Sequence, residues 1–285
     1  VNTNSRFTQA MLAFTLCILI SLVWKLIPHP AVIVAIGLLP LAGWFVLRHP
    51  FLMVLLFVVF SFFRIHEAFP QLYSLKIPLL LSLASLGALV WHVGLTRKVT
   101  AYWRSEFTVI SIFFVLVIIG IALASNRPVA IAYFSSIYWK IAVMTFAIAW
   151  LSRTAADFKL ASRLITLSGL LIGLVALHNK ANGIGMVEET RVTIGRAIGS
   201  VLGDPNDLAL VLMFPASFAV SLVLTKNIGL FSRLLGMISV PILFLAVIAT
   251  QSRGGLLGIM MVFGVYAYRR IKSKVLLIAL ATVAA

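Results

Sequence analysis

Long apolar runs, separated by short polar connections, repeat along the chain. Most runs are close to the roughly 20 residues that an α-helix needs to cross the hydrocarbon core of a bilayer. The pattern predicts an all-α fold, a polytopic transmembrane helical bundle with about 10–11 spans. The predicted spans are 9–27, 31–47, 51–66, 77–95, 107–124, 129–151, 162–178, 207–224, 234–250, 254–268 and a last one from 275 onward.

The composition agrees with a membrane protein. Hydrophobic residues make up 62% of the 285 residues and charged residues only 11%, whereas about 25% of the residues in a soluble domain are charged. The net charge of +16 does not indicate nucleic-acid binding, because the basic residues lie singly or in small groups between the apolar runs. We therefore expect the lipid bilayer, and no nucleic acid, among the partners of this chain.

The basic residues predict the orientation of the bundle. If the N-terminus is cytoplasmic, the larger share of Lys and Arg, including the cluster at 269–274, falls on the cytoplasmic side, as the positive-inside rule requires. The first run lacks a cleavage site and is interpreted as a retained span. The last run stops at Ala285, too early to cross a bilayer. We therefore expect a single transmembrane domain over 1–285 that is truncated at its C-terminus.

Side chains that bind metals are scarce in this sequence. Cys17 is the single cysteine, and the five histidines are far apart and lack the spacing of metal ligands. The seven acidic residues contain no Asp-x-Asp pair of the kind that many metal-dependent sugar transferases use. We expect neither a metal site nor another cofactor.

The longest outer connection is predicted at 179–206, and loops of this length in compact bundles tend to be functional. It contains Arg191 and Arg196. If the stretch is extended, these two side chains point to opposite faces, and if it is helical they diverge by about 140°. In either geometry the two arginines need not bind one ligand together.

The end of this loop, Asp204-Pro205-Asn206-Asp207, has the composition of a helix start. Asn206 or Asp207 could accept hydrogen bonds from the free N–H groups that open the next helix. The functional alternative is that this polar helix start orients a sugar or an arginine.

Arg253 lies between two apolar spans, in the segment Gln251-Ser252-Arg253-Gly254-Gly255. The twenty residues from Arg233 make about 30 Å of helix, which places Arg253 at the outer edge of the hydrocarbon, at the depth of a lipid phosphate. A charge there is costly unless something binds or solvates it, and the glycines would let a ligand approach the backbone closely. The alternative is that Gly254 and Gly258 only let two helices pack closely.

Four further residues on the predicted outer side are weaker candidates. Arg64 and Arg127 belong either to an anion-binding set of arginines or to the side chains that reach for the membrane–water boundary. His66, together with its neighbour Glu67, and His178 are either proton-transfer groups or polar boundary residues.

Lys140 is the remaining weak candidate, near the middle of the predicted span 129–151. A charge at that depth would be functional. Alternatively, the span starts late, near Ile137, and the residues before it lie along the membrane surface.

Three segments resemble the O-antigen ligase and polymerase family of bacterial inner-membrane glycan enzymes. They are the Gln251–Leu257 stretch, the Gly203–Ala209 stretch that opens a helix, and Arg196 shortly before it. The Phe63–Pro70 stretch is similar to the O-glycosylation ligase subgroup. The resemblance covers roughly residues 51–285.

The resemblance implies a metal-independent glycosyltransferase of the bacterial inner membrane with its active face in the periplasm. Such an enzyme takes a glycan from undecaprenyl diphosphate and transfers it to lipid A core, a protein or a growing glycan, as in lipopolysaccharide and polysaccharide biosynthesis. The arginines that hold the diphosphate correspond here to Arg191 or Arg196 and to Arg253. The histidine that the ligases use would lie beyond residue 285, so we expect an incomplete active site in this chain. The substrate-binding candidates are Arg191, Arg196, Asn206, Ser252, Arg253 and Gly254.

Other functions remain open at this stage. A polymerase of the same family would use the same donor. A transporter or flippase for an anionic lipid-linked substrate should carry charged groups at the membrane midplane on broken helices, together with internal repeats. Lys140 fits that description, but no repeat is visible in the sequence. A binding or scaffold subunit without chemistry is the third possibility.

Overall fold

The structure is a computed structural model that describes residues 30–270, together with residues 11, 13–15, 17, 18, 21 and 25. In this part of the chain the fold is almost entirely helical, with one two-stranded ribbon, which confirms the predicted all-α class. The α-helices between 30 and 270 are α1 Pro30–Arg48, α2 Pro50–Phe62, α3 Ile65–Ala68, α4 Pro70–Tyr73, α5 Ile77–Val90, α6 Ser105–Leu123, α7 Arg127–Tyr133, α8 Trp139–Leu151, α9 Ala155–Ala181, α10 Pro205–Leu224, α11 Leu230–Thr250 and α12 Arg253–Arg270.

Shorter elements complete the described part of the chain. The π-helical turn Trp91–Leu95 extends α5, and a second one, Phe134–Tyr138, joins α7 to α8. Strands β1 Met186–Val187 and β2 Arg191–Val192 pair antiparallel. Two 3₁₀ turns, Arg196–Ile198 and Val201–Gly203, follow β2 and lead to α10.

Five of the described helices are long and apolar enough to cross a membrane. They are Gln71–Leu95, Ser105–Leu123, Ala155–Ala181, Pro205–Leu224 and Leu230–Thr250. A sixth crossing would be formed by the pair Gly37–Arg48 and Pro50–Phe62, which are bent by 95° where they meet. The chain is therefore a multi-pass membrane protein.

The described spans are fewer than the predicted 10–11, although the predicted spans from 31–47 to 254–268 all coincide with helices. The first two of these form the bent pair, whose break is at His49-Pro50, where proline has no N–H for the helical ladder. The span predicted at 129–151 is divided by a π-helical turn. Most of 9–27, and all of the span from 275 onward, lie outside the described residues.

The main core lies between α9, α10 and α11, and small residues let these helices approach closely. A Cβ added at Gly169 of α9 would lie 2.3 Å from the Pro215 ring of α10. One added at Gly236 of α11 would lie 2.7 Å from the carbonyl oxygen of Ala219. Glycine at such positions permits backbone contact between helices in a membrane. Fully buried leucines such as Leu243 fill the space between them.

Helix α12 packs on α10 through Gly255 and Gly258. A Cβ added at Gly255 would lie 2.4 Å from the Cβ of Ala209, and one added at Gly258 would lie 2.0 Å from the sulfur of Met213. Apart from the neighbouring residues and backbone of its own helix, Gly254 has no atom of the described residues within 4 Å of the position that its Cβ would take. The predicted packing pair Gly254 and Gly258 is therefore wrong in its first member, because Gly255 makes the contact.

A second, smaller core joins α2, α5 and α8. Val54, Leu89 and Met144 are buried together there. This group of helices and the main core meet along α2, because α2 also packs against α9. The fold therefore places the C-terminal end of α2 beside the elements that carry the candidate site.

Candidate functional site

One end of the bundle carries the loop 182–204, and we call it the loop end. Strand β2 packs against α9 and α11, and the short helix α3 packs against α9. The chain therefore brings to this end the C-terminal ends of α2, α9 and α11 and the N-terminal ends of α10 and α12.

The loop 182–204 has regular structure, a two-stranded ribbon held over buried residues. Met186 pairs with Val192 and Val187 with Arg191, across a turn in which Glu188 and Glu189 have φ of 51° and 60°. Val192, Thr193 and Ile194 are buried beneath it, and the N–H of Ile194 donates to the carbonyl of Leu202 at 2.9 Å. The extended geometry considered for 190–194 is therefore present at β2.

Arg191 connects three elements at the loop end. Its Nε donates to the carbonyl oxygen of Thr250, the last residue of α11, at 3.2 Å. Its Nη2 donates to Oδ1 of Asn206, in the first turn of α10, at 2.9 Å. The Thr250 carbonyl is one of the groups that a helix C-terminus leaves without an intrahelical donor, and it carries partial negative charge. These contacts fix the guanidinium between two helices.

Helix α10 begins with a cap from Asp204. Its Oδ1 accepts from the N–H of Asn206 at 2.7 Å and from the N–H of Asp207 at 3.2 Å. The prediction that Asn206 or Asp207 caps this helix is wrong, because Pro205 occupies the first helical position and makes Asp204 the N-cap. The side chain of Asn206 is thereby free to bind Arg191. Orientation of an arginine, the functional alternative for this segment, is present in the structure.

Helix α12 begins with a similar cap from Ser252. Gln251 adopts a left-handed conformation with φ of 53° and turns the chain from α11 to α12. The buried Ser252 hydroxyl accepts from the N–H of Gly255 at 3.2 Å, and the Ser252 N–H donates to Oγ1 of Thr250 at 3.2 Å. Ser252 therefore serves to start the helix, which places Arg253 and Gly254 at its exposed N-terminal end.

Five of the six substrate-binding candidates thus meet at the loop end: Arg191, Asn206, Ser252, Arg253 and Gly254. Arg253 makes no hydrogen bond or ion pair with another described residue, so its charge is free to meet a ligand. The N-terminus of α12, on which Arg253 lies, adds partial positive charge, whereas the start of α10 is capped by the carboxylate of Asp204. Arg253 and the start of α12 are therefore the groups here that could bind an anion.

Arg196, the sixth candidate, lies apart from this contact network. It opens a 3₁₀ turn between Gly195 and Gly199, which have φ of 66° and 71°. Its side chain is exposed, and Nη1 makes one long hydrogen bond of 3.4 Å to the carbonyl of Gly203. Arg196 and Arg191 share no contact partner among the described residues, as expected for arginines that need not act together.

Arg64 and His66 belong to a second polar cluster, centred on the buried carboxylate of Glu67. Arg64 Nη1 donates to Glu67 Oε1 at 2.5 Å, and the Ser200 hydroxyl donates to Oε2 at 2.5 Å. His66 Nε2 lies 3.7 Å from Oε1. Burial lowers the pKa of His66, and the Arg64 charge lowers it further, while Glu67 and the backbone of Phe60 oppose the shift. This cluster joins α3 to the loop.

The other weak candidates lie outside both clusters. Arg127 is exposed at the start of α7, which Asn126 caps by accepting from the Val129 N–H at 3.3 Å. His178 is exposed near the end of α9, and its Nδ1 lies 3.3 Å from Nδ2 of Asn182. Lys140 is half-buried just after the π-helical turn, where α8 begins. The π-helical turn Phe134–Tyr138 thus includes Ile137, near which the alternative late start of this span was placed.

Several residues that position the loop were not candidates. Asn179 Nδ2 donates to the carbonyl of Thr193 at 3.0 Å, and Lys180 Nζ donates to that of Thr190. Glu67 was considered only beside His66 as a proton-transfer candidate, and its contact with Ser200 was not predicted. The two residues from α9 are polar at a helix end, which is common, and their partners are backbone carbonyls, which carry no sequence signal.

Comparisons with protein-family models, with curated proteins and with solved structures find no match to this chain. Among the described residues, no group of three or more His, Cys, Asp or Glu is placed to hold a metal ion. Fold and site together define the class: an all-α, multi-pass membrane protein with Arg191 and Arg253 among the residues of the loop end.

Proposed function

We propose that this protein is a membrane glycosyltransferase of the O-antigen ligase type, which transfers a glycan from undecaprenyl diphosphate to an acceptor hydroxyl. The observation that carries the proposal is the position of Arg253. Its charge is exposed and unpaired among the described residues, at the N-terminus of α12, three residues after the carbonyl that holds Arg191.

The chemistry of the donor fits these groups. When the sugar–phosphate bond breaks, the diphosphate leaves with additional negative charge, and groups that are already in place lower the barrier by stabilising it. Arg191 uses Nε and one hydrogen of Nη2 for its contacts with Thr250 and Asn206. Because a guanidinium has five N–H donors, the remaining ones, with Arg253 and the α12 N-terminus, can bind phosphate oxygens.

The location of the cluster also fits a lipid-linked donor. The diphosphate of such a donor lies at the membrane–water interface, and Arg253 begins a helix at the end of the spans α10 and α11. We assign the loop end to the periplasmic side of a bacterial inner membrane, because the larger share of Lys and Arg in the connections between helices then lies on the cytoplasmic side. The acceptor that we propose is one of three classes: lipid A core, a protein or a glycan.

A carrier for an anionic lipid-linked substrate is the second candidate function. It is favoured by the π-helical turn Phe134–Tyr138 beside Lys140, because transporters bind their substrates at interrupted helices. An assay in detergent micelles distinguishes the two candidate functions, because a micelle does not divide the solution into two compartments between which a carrier could move its substrate. A purified enzyme forms the glycosylated product there, whereas a carrier does not.

The test is transfer from a purified lipid-diphosphate glycan to an acceptor, by the intact protein and by Arg253→Ala. We expect the substitution to lower the transfer rate at least about 100-fold, the usual effect of removing one preorganised group that stabilises developing charge. Arg127→Ala is the matched control, because Arg127 is also exposed and lies outside the cluster. Transfer by a stably folded Arg253→Ala protein at the rate of the control would overturn the proposal.

A further inference from the structure

A cavity of about 440 Å³ lies where the C-terminal end of α2 meets the N-terminal halves of α5 and α8. It shares no residue with the cluster around Arg191 and Arg253. Its lining is Phe57, Ser61, Arg64, Pro78, Leu79, Ser82, Lys140, Ile141, Met144, Thr145 and Ile148.

The cavity has two cations and no acid in its lining. Lys140 makes no hydrogen bond or ion pair with another described residue. Arg64 directs Nη1 to Glu67, which leaves its other N–H groups available. An ammonium group on an apolar helix of a membrane protein is costly unless an anion or water accompanies it. The cavity therefore has an uncompensated positive charge.

Two of the three hydroxyl groups of the lining cannot replace these cations as donors. Ser82 donates to the carbonyl of Leu79 at 2.7 Å, and Thr145 donates to that of Ile141 at 2.8 Å. Each hydroxyl has one hydrogen, so both are already used within their own helices. Donors to a ligand therefore come from the charged Lys140 and Arg64, with the neutral hydroxyl of Ser61 as the remaining one.

The rest of the lining is apolar and continues to the outside of the bundle. Ile141 and Ile148 are seven positions apart, so they lie on the same side of α8, and both are exposed, as is Leu79 on α5. Phe57 and the buried Met144 form inner parts of the wall. A ligand that fills this cavity meets charge at one end and an apolar, membrane-facing wall at the other.

We propose that this cavity is a lipid-binding site, in which the phosphate head group of an anionic lipid binds Lys140 and Arg64. The first part of an acyl chain then lies along Leu79, Ile141 and Ile148. A zwitterionic lipid is disfavoured because its cationic group would enter a cavity with uncompensated positive charge. A soluble anion would leave the apolar wall uncovered. The proposal concerns a second site and does not rest on the proposed function.

The test measures lipid binding to the purified intact protein by native mass spectrometry. The probes are phosphatidic acid, phosphatidylcholine with the same acyl chains, and inorganic phosphate. Lys140→Gln removes the unpaired charge at similar size. Ile141→Trp keeps both cations and fills the cavity from its exposed side, so that a folding defect of one variant does not end the test. Lys76→Gln is the control, because Lys76 is an exposed cation just before α5 and outside the lining.

We expect tighter binding of phosphatidic acid than of phosphatidylcholine, and a loss of about tenfold or more in both cavity variants, the size expected for one charge-assisted contact. Lys76→Gln should bind like the wild type. Equal binding of the two lipids, or unchanged binding in Lys140→Gln, would overturn the site. Competition by inorganic phosphate as strong as that by the lipid would show a soluble-anion site and overturn the lipid assignment, as would undiminished binding in Ile141→Trp.

Discussion

Arg191 donates a hydrogen bond of 2.9 Å from Nη2 to Oδ1 of Asn206, at the start of the next long helix. With its second bond to the carbonyl of Thr250, it ties strand β2 to the ends of two spans that face each other in the main core. The loop 182–204 is therefore fixed to the bundle by a side chain that is itself part of the candidate site. The order of the loop and the proposed anion binding would therefore depend on the same residue.

The contact between Arg191 and Asn206 can be tested by substituting Asn206, the residue that accepts the hydrogen bond. We expect Asn206→Ala to raise hydrogen exchange of the amides of 182–204 about tenfold, since a hydrogen bond to a charged group contributes about 1.5–3 kcal/mol. The measurement is hydrogen–deuterium exchange followed by mass spectrometry. Asp207→Ala is the control, because Asp207 is exposed in the same helical turn and its side chain makes no hydrogen bond or ion pair with another described residue. Equal exchange in the two variants would show that the contact does not hold the loop.

The adjacent glycines Gly254 and Gly255 allow the packing of α12 and the access of a ligand to be tested independently. We expect Gly255→Ala to destabilise the protein by about 1–3 kcal/mol through overpacking, because the new Cβ would lie 2.4 Å from Ala209. Gly254→Ala meets no atom within 4 Å and should gain up to about 1 kcal/mol of helix propensity. Thermal unfolding of both purified variants measures the difference.

The same pair tests the candidate site. If a phosphate approaches the backbone at Gly254, then Gly254→Ala should lower glycan transfer while its unfolding temperature stays at or above that of the wild type. A Gly254→Ala protein with full transfer activity would show that no ligand approaches there. Stabilities ranked in the opposite order would contradict the packing of α12 on α10.

The positions of the helices follow from the sequence much better than their directions do. Run length and hydropathy depend on composition, so they locate the residues of α9, α10 and α11. They contain no information on the angle between two helices, and the 95° bend at His49-Pro50 was therefore predicted as two separate spans. A proline next to a histidine is compatible with both arrangements.

A candidate residue could be predicted from the sequence where its charge is unusual for its position along the chain. Arg253 stands out because a charge at the edge of a long apolar run has a high cost. The contact of Arg191 with Asn206 could not be predicted, since it depends on which residue caps α10. Pro205 decides that point by occupying the first helical position and leaving Asp204 as the cap. The role of Glu67 depends on Ser200, 133 residues away, and such a separation has no local signal.

Glu67 and Ser200 should be energetically coupled across that separation. We expect Glu67→Gln to destabilise the protein by about 1–3 kcal/mol, because it removes the negative charge and replaces one of the two accepting oxygens with an NH2 donor. Ser200→Ala should cost about 1 kcal/mol. The double variant should be less destabilised than the sum, with a coupling of about 0.5–2 kcal/mol, measured by chemical unfolding. Additive effects would mean that the loop and α3 are not joined by this contact.

The histidine next to Glu67 predicts a pH dependence of stability. The pKa of His66 is lowered from its ordinary value of 6.5, chiefly because the ring is buried. The unfolded chain therefore binds a proton more readily than the folded protein when the pH falls below about 6.5. The contribution of His66 to stability is present above that pH and is lost as the pH falls through it. We expect the unfolding temperature to decrease between pH 7 and pH 5.

His66→Gln should flatten that decrease, because it removes the group whose protonation favours the unfolded chain. His178→Gln is the control, since His178 is an exposed histidine at the same end of the bundle. It should keep the wild-type slope of unfolding temperature against pH. An unchanged slope in His66→Gln, or an equal flattening in both variants, would show that burial of the His66 ring is not what makes the protein less stable in acid.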